Sequence, residues 1–211
     1  MKIRTVRRFR KRAIWTHWLH TAAFIVLLIT GFIMFFHLTG FAGDKPIKMI
    51  HRASAVIFVM IPVIYSIIDP RTALTFLKEA FLWGRDDLGW EISAVNYYFG
   101  GQAHMPPQDR INAGQKIWQL IVVVSGLLFA VTGVVLWFFR LKIPVGVYQG
   151  FLLLHAITFI LVLVWFLWHV YLATLHPRFP ESLPSMLDGN VSESYAAEHY
   201  RKWYDRIIRG K

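Results

Sequence analysis

Nine histidines and no cysteine make imidazole the metal-binding side chain to follow in this chain. Four of them, His17, His51, His155 and His169, sit inside or at the rim of long apolar stretches, and His20 and His37 are further candidates in the first stretch. An ionisable group within such a stretch is costly to bury and marks a functional position by default. The plainer reading of any single one is a neutral histidine hydrogen-bonded to backbone near the end of a helix. The spacing argues for the set. His155 and His169 are fourteen residues apart, close to four helical turns, so they point about 40° apart and stand about 21 Å apart along one axis. The lack of cysteine excludes iron–sulfur clusters held by this chain, thiol catalysis, disulfides and covalent C-x-x-C-H haem attachment.

The elements that must carry these rings are four nearly uncharged blocks, residues 13–36, 50–68, 117–139 and 147–175. Each is about 20 residues or longer, enough to cross roughly 30 Å of hydrocarbon as a helix. Hydrophobic residues make up 56% of the 211 and charged ones 17%, well below the roughly 25% charge of a globular domain. Four buried helices of a soluble protein would need polar faces that these blocks lack. The fold class is therefore all-α, a single integral membrane four-helix bundle over 1–211 with a tail at 176–211.

Seven Lys or Arg fall within the first twelve residues. The apolar stretch behind them contains His17, Trp18 and His20 and is long for a signal peptide, so it reads as a retained first helix. Dense positive charge there places the N-terminus in the cytoplasm, and four crossings return the C-terminus to the same side. Chain direction then sets the levels. Helices two and four both start outside, which puts His51 level with His155. Helix one starts inside, which puts His17 level with His169. Facing histidines at two depths are what six-coordinate haem iron requires, with imidazoles above and below a porphyrin held between helices. Zinc fits less well, because it wants three or four ligands and no carboxylate lies within a span. At the inner level, His20 lies one turn from His17 and is an alternative ligand. Arg52, Arg12 and Lys116 are candidates for the haem propionates, although rim cations commonly just anchor helices. A net charge of +11 needs no nucleic acid to explain it in such a protein.

Trp15, Trp18, Trp137, Trp165 and Trp168 lie toward helix ends, as interfacial aromatics do. Thr30-Gly31, Ser125-Gly126 and Thr132-Gly133 supply small residues either for helix approach or to make room for a flat cofactor. The connection at 69–116 is mixed in charge and broken by Met105-Pro-Pro-Gln108. Residues 195–204 look like a short amphipathic segment for the membrane surface or a partner.

His17-Trp18, His51, Asn112-Ala-Gly-Gln-Lys116, Leu153-Leu154-His155-Ala156 and His169-Val-Tyr171 together form a pattern. With Met186-Leu-Asp-Gly-Asn-Val-Ser192 and Arg201-Lys-Trp-Tyr204, it resembles the gamma (cytochrome b) subunit of membrane-bound formate dehydrogenases across nearly the whole chain. The resemblance implies two haems b held by His17, His51, His155 and His169, and so prefers His17 over His20. It implies a quinone pocket, for menaquinone or ubiquinone, near Asn112, Gly114 and His169. The residues allow this by themselves, since an amide can bond a quinone carbonyl and glycine admits a ring. A helix N-cap is the plainer role of Asn112. The resemblance also implies an iron–sulfur subunit and a molybdenum- or tungsten-dependent formate-oxidising subunit as partners. The setting would be a prokaryotic inner membrane, with complexes that tend to be trimers of protomers.

On this reading the chain is the electron-transfer subunit of a formate:quinone oxidoreductase. Tyr97-Tyr-Phe-Gly-Gly101 and His104-Met-Pro-Pro107 name no donor, so a nickel–iron hydrogenase or thiosulfate-type reductase is the alternative partner. A haem-free scaffold or transporter is the rival from another class. Transporters favour broken helices at mid-membrane, and here only Pro62 interrupts a span.

Overall fold

The computed structural model describes residues 4–38, 44–101 and 105–210, and His104 lies outside them. Four long helices dominate: α1 (Lys11–Phe35), α2 (Asp44–Ile68), α5 (Ala113–Phe138) and α6 (Val145–Thr174). Between α2 and α5 run α3 (Pro70–Phe81) and α4 (Arg85–Tyr98). A strand β1 (Thr5–Arg7) precedes α1, and α7 (Ser182–Asp188), β2 (Asn190–Ser192), α8 (Glu193–His199) and α9 (Arg201–Arg209) follow α6.

The four long helices bury only 6–11% of their most apolar windows against the rest of the protein. Ile67, Leu127 and Val164 are each more than 60% exposed to the surroundings. A soluble bundle does not leave so much apolar surface uncovered, and lipid is the solvent that covers it without cost. These are membrane-spanning helices. At 25 to 30 residues they run about 38–45 Å, longer than the hydrocarbon core, so their ends project into the polar zone. That is why α2 begins at Asp44 rather than at the first apolar residue. His51 consequently lies two turns inside α2 instead of opening it.

The chain forms two compact units. One comprises Met1–Ile14, Thr72–Leu120 and Trp168–Lys211, and the other Trp15–Arg71 and Ile121–Leu167.

The first unit is built from the segments expected on one side of the membrane. β1 pairs antiparallel with β2, Val6 opposite Val191. Behind this pair, Tyr195, Ala196, Tyr200 and Trp203 complete a buried cluster with the two valines. The apolar face of the amphipathic tail is thus spent inside the protein and not on lipid or a partner. Arg8 joins the same structure to the 69–116 connection. Its guanidinium lies 3.7 Å from the Tyr200 ring and donates to the Arg110 carbonyl and to Gln115 Oε1, both at 2.9 Å. The Lys202 amide donates to the Gln108 carbonyl, and Arg206 bonds Asp109. Burial pushes the Asp109 carboxyl upward, but the Arg206 hydrogen bond and the Arg110 amide outweigh it and hold the group below the usual carboxylate range.

Helix α4 uses the Gly84 amide as a cap partner, donating to Asp87 Oδ2 at 2.8 Å. It buries Trp90 and Ala94 against Ala113, with Trp83, Tyr97, Tyr98 and Met105 packed around them. Leu88, Ile92, Val95 and Phe99 point the other way and are exposed. Apolar residues on two opposite faces blur the 3.6-residue period, so this helix does not announce itself in the sequence.

Gly189 ends α7 with φ of 88°, a left-handed conformation that L side chains avoid. Its carbonyl accepts from the amides of Arg8 and Phe9, and a Cβ here would fall 2.5 Å from the Phe9 carbonyl oxygen. Gly189→Ala should cost the left-handed penalty of about 1–2 kcal/mol together with the clash. The expected result is a clearly lowered Tm in detergent. An unchanged Tm would show that the Phe9 backbone yields freely.

Candidate functional site

In the second unit, α2 and α6 bring His51 and His155 face to face. Their ring centroids are 6.4 Å apart and the planes are inclined by 62°. An imidazole nitrogen binds a first-row metal at about 2.0–2.1 Å, so two imidazoles on opposite sides of one metal stand roughly 6 Å apart between centroids. The observed separation matches that of two axial ligands on a single iron. Ordinary edge-on ring packing reaches the same distance, as Trp90 and Tyr97 do at 6.1 Å, so the case for iron rests on two ligand-type rings facing each other between spanning helices. Among the described residues no group of three or more His, Asp or Glu converges, which leaves this a two-ligand arrangement. Two ligands suffice when a porphyrin supplies the other four. The residues present therefore fit haem and do not fit a zinc centre.

Neighbouring residues orient these rings. Thr30 Oγ1 lies 2.8 Å from His51 Nδ1, and Thr132 Oγ1 lies 2.7 Å from His155 Nδ1. Gly31 presents its bare backbone to the site, and a Cβ there would meet Phe159 at 3.6 Å and His51 Cε1 at 3.8 Å. Gly126 and Gly133 differ, because a Cβ at either would meet nothing within 4 Å. Close helix approach is thus not what these two glycines serve among the described residues. Phe129 adds an edge-on contact to the His155 ring at 5.0 Å. The Arg52 guanidinium lies 5.2 Å from the Trp137 ring.

The remaining histidines separate clearly. His20 stacks on Phe58 with centroids 4.0 Å apart and planes 21° apart, so one face of its ring is committed to packing. His17, one turn earlier, keeps a buried Nδ1 with no hydrogen-bond partner among the described residues. His37 sits beyond the end of α1 at a φ of 52° and is exposed. His169 belongs to the first unit, where its ring lies flat on Trp118 with centroids 4.8 Å apart and planes 12° apart. Stacking of this kind fixes the plane of the imidazole while its nitrogens remain on the ring edge.

Asn112 and Gln115 cap α5 reciprocally. The Gln115 amide donates to Asn112 Oδ1 at 2.9 Å, and the Asn112 amide donates to Gln115 Oε1 at 3.1 Å. The N-cap reading of Asn112 is therefore realised. Gly114 is tightly enclosed, since a Cβ would fall 2.8 Å from the Tyr98 hydroxyl and 3.2 Å from the Trp90 ring. Lys116 is not available to a propionate. Its ammonium donates to Asp87 Oδ2 at 2.8 Å and to the Leu82 carbonyl at 3.3 Å, and both charged side chains are nearly buried. Asn112 also lines a cleft of about 680 Å³ with Trp90, Tyr97, Gln108, His199 and Lys202.

From the sequence, Thr30-Gly31 and Thr132-Gly133 supply small residues for helix approach or for a flat cofactor, and the hydrogen bonds of Thr30 and Thr132 to the paired rings are an addition of the structure. A signal was available, because each is followed by glycine and lies on the helix preceding one that carries a paired histidine.

The chain is similar to known membrane cytochrome subunits. The nitrate-inducible formate dehydrogenase cytochrome b556(Fdn) subunit of Escherichia coli K12 is 30% identical over 131 residues, 60% of this chain and 58% of its own. The formate dehydrogenase cytochrome b556(fdo) subunit of the same organism is 26% identical over 132 residues, with the same coverage. The formate dehydrogenase cytochrome b556 subunit of Haemophilus influenzae is 23% identical over 219 residues, 97% of this chain and 84% of its own. The chain thus spans about three fifths of the length of the Escherichia coli relatives it matches. The family model described as prokaryotic cytochrome b561 matches residues 8–189. With four membrane-spanning helices and a histidine pair at the spacing of one iron, this chain belongs to the prokaryotic cytochrome b561 family, a membrane cytochrome b that carries haem b and transfers electrons.

Proposed function

We propose that this protein is the membrane subunit of a formate dehydrogenase, receiving electrons from an iron–sulfur partner outside the inner membrane and delivering them to quinone. The observation that carries the reading is the His51–His155 pair, with rings 6.4 Å apart on two spanning helices. Haem bound there would supply one-electron chemistry, and holding by two imidazoles would suit relay and not oxygen binding. His51 and His155 would hold it, with Gly31 and Phe159 packed beside His51. His17 and His169 form the second, inner pair in this proposal. The unpartnered Nδ1 of His17 and the fixed ring plane of His169 support it. The names of the relatives support formate as the upstream substrate, oxidised by a molybdenum or tungsten subunit. This chain has no cysteine and so cannot hold the iron–sulfur clusters itself.

Quinone, menaquinone or ubiquinone, is reduced beside His169 at the inner end of α5 and α6, taking up two electrons and two protons. Asn112 flanks that point in the proposal, its side-chain amide donating to a quinone carbonyl, whereas the space over Gly114 is already filled by Tyr98 and Trp90. Each electron that moves inward carries charge across the membrane, worth about 2.3 kcal/mol per 100 mV. Asn112→Asp separates this role from capping, because it keeps the Oδ1 acceptor for the Gln115 amide and removes the donor. Formate-driven quinol formation should fall at least tenfold while haem content and Tm hold. Unchanged turnover would leave Asn112 with its cap alone.

The whole reading is tested by adding formate to membranes holding the native complex. Reduced b-type absorption bands should appear, about two haems per copy of this chain. Bands that respond to hydrogen and not to formate would assign the subunit to a hydrogenase.

A further inference from the structure

Two threonines stand behind the paired histidines and follow one plan. Thr30 Oγ1 donates to the Val26 carbonyl, four residues back in α1, at 2.7 Å, with the Leu27 carbonyl at 3.2 Å. Thr132 Oγ1 donates to the Leu128 carbonyl in α5 at 2.6 Å, with the Phe129 carbonyl at 3.4 Å. A carbonyl can only accept, so the single hydroxyl hydrogen of each threonine is committed to its own helix. Toward histidine each oxygen can then only accept. The nitrogens at 2.8 and 2.7 Å, His51 Nδ1 and His155 Nδ1, must carry the proton. In a neutral imidazole this leaves the lone pair on Nε2, the nitrogen free to meet a metal.

The duplication is hard to attribute to packing. Thr30 is 4% exposed and Thr132 0%, on helices that bury little else. Each is followed by glycine, as Thr30-Gly31 and Thr132-Gly133. Each lies on the helix whose successor carries the histidine, α1 before α2 and α5 before α6. Threonine hydroxyls in spanning helices often bond a carbonyl four residues back for their own satisfaction. That habit does not explain why both also reach the outer nitrogen of a facing imidazole.

We propose that Thr30 and Thr132 are paired positioning residues that lock His51 and His155 as Nδ1–H tautomers and lower the reduction potential of the haem between them. The inference rests on the reading of these histidines as axial ligands. Accepting the Nδ1 proton makes an imidazole a richer electron donor, which favours ferric over ferrous iron.

The test is a redox titration of the purified chain carrying Thr30→Val, Thr132→Val or both, with Thr→Ser at each position as the rescue. Valine keeps the shape and removes the acceptor. If one hydrogen bond strengthens by about 1 kcal/mol in the ferric state, its loss moves the equilibrium about fivefold toward ferrous iron. At 59 mV per tenfold for one electron, that is a rise of about 40 mV for each threonine. Serine should restore the original potential at either site. Loss of haem in the valine variants with retention in the serine variants would equally support the inference. An unmoved potential in the double valine variant overturns it, and so do serine variants that behave like valine ones. Failure of the underlying reading is separable, because His155→Ala would then leave the haem content of the chain unchanged.

Discussion

Replacing His155 with alanine should strip the purified chain of the haem held there, halving haem content if the proposed second haem is present, and should abolish the formate-driven quinone reduction proposed above. The reason is coordination number. His51 and His155 face each other across 6.4 Å, the spacing for one iron, and among the described residues no other histidine comes to that pair. A single remaining imidazole would hold the group from one side only. Losing a residue that hydrogen-bonds a metal ligand typically costs 10–100-fold in metal affinity, and losing the ligand itself costs more. His51→Ala should do the same, and the double variant should lose no further haem. Haem content by pyridine haemochrome together with difference spectra decides the matter. Full haem content in His155→Ala would refute the pairing and the electron relay built on it. If His17 and His169 hold a second haem, as proposed above, that haem should remain in both variants.

The second large effect lies away from the haem site. Asp87→Ala should destabilise the unit that contains α3, α4 and the start of α5 by about 3–5 kcal/mol, the usual consequence of breaking one half of a buried ion pair. Lys116 and Asp87 meet at 2.8 Å with side chains 10% and 12% exposed, so the surviving ammonium would keep only the Leu82 carbonyl at 3.3 Å and no counter-charge. The same carboxylate accepts from the Gly84 amide at the start of α4, and that cap is lost with it. Limited proteolysis within the connection between α2 and α5, and Tm in detergent, should both report the loss. Substituting both residues, Asp87→Leu with Lys116→Met, should recover much of the stability, because a well-packed apolar pair avoids the stranded charge. If Asp87→Ala alone leaves Tm and proteolysis unchanged, the pair is wetter than its burial indicates.

These two expectations draw on different levels of legibility. The spanning helices and the matching of His51 to His155 could be read from residues alone. Lipid tolerates only long uninterrupted apolar helices, and a chain that crosses four times has its levels set by counting. Block length, the fourteen-residue interval between His155 and His169, and positive charge before α1 carried that reading. The absence of cysteine was decisive in the same way, since no fold can supply a ligand type the chain lacks.

Tertiary structure decided what the polar parts do. Residues 195–204 are amphipathic, but amphipathicity does not say what the apolar face meets. Here it meets Val6 and Val191 through the β1–β2 pair, a contact between residues nearly the whole chain length apart. Lys116 and Asp87 are 29 positions apart, and nothing in their spacing distinguishes a buried pair from two rim charges. Asn112 became a helix cap once Gln115 turned back to it, and Gly114 proved to be a close-packing position under Tyr98 and Trp90. Thr30 and Thr132 show the division most sharply. The residues named only small side chains on a spanning helix. The hydroxyl direction, and with it the protonated nitrogen of each histidine, exists only when α1 lies beside α2 and α5 beside α6. Composition and period are properties of a segment, and lipid reads them directly. A hydrogen bond between distant side chains depends on positions to within a few tenths of an ångström, which only the packed chain specifies.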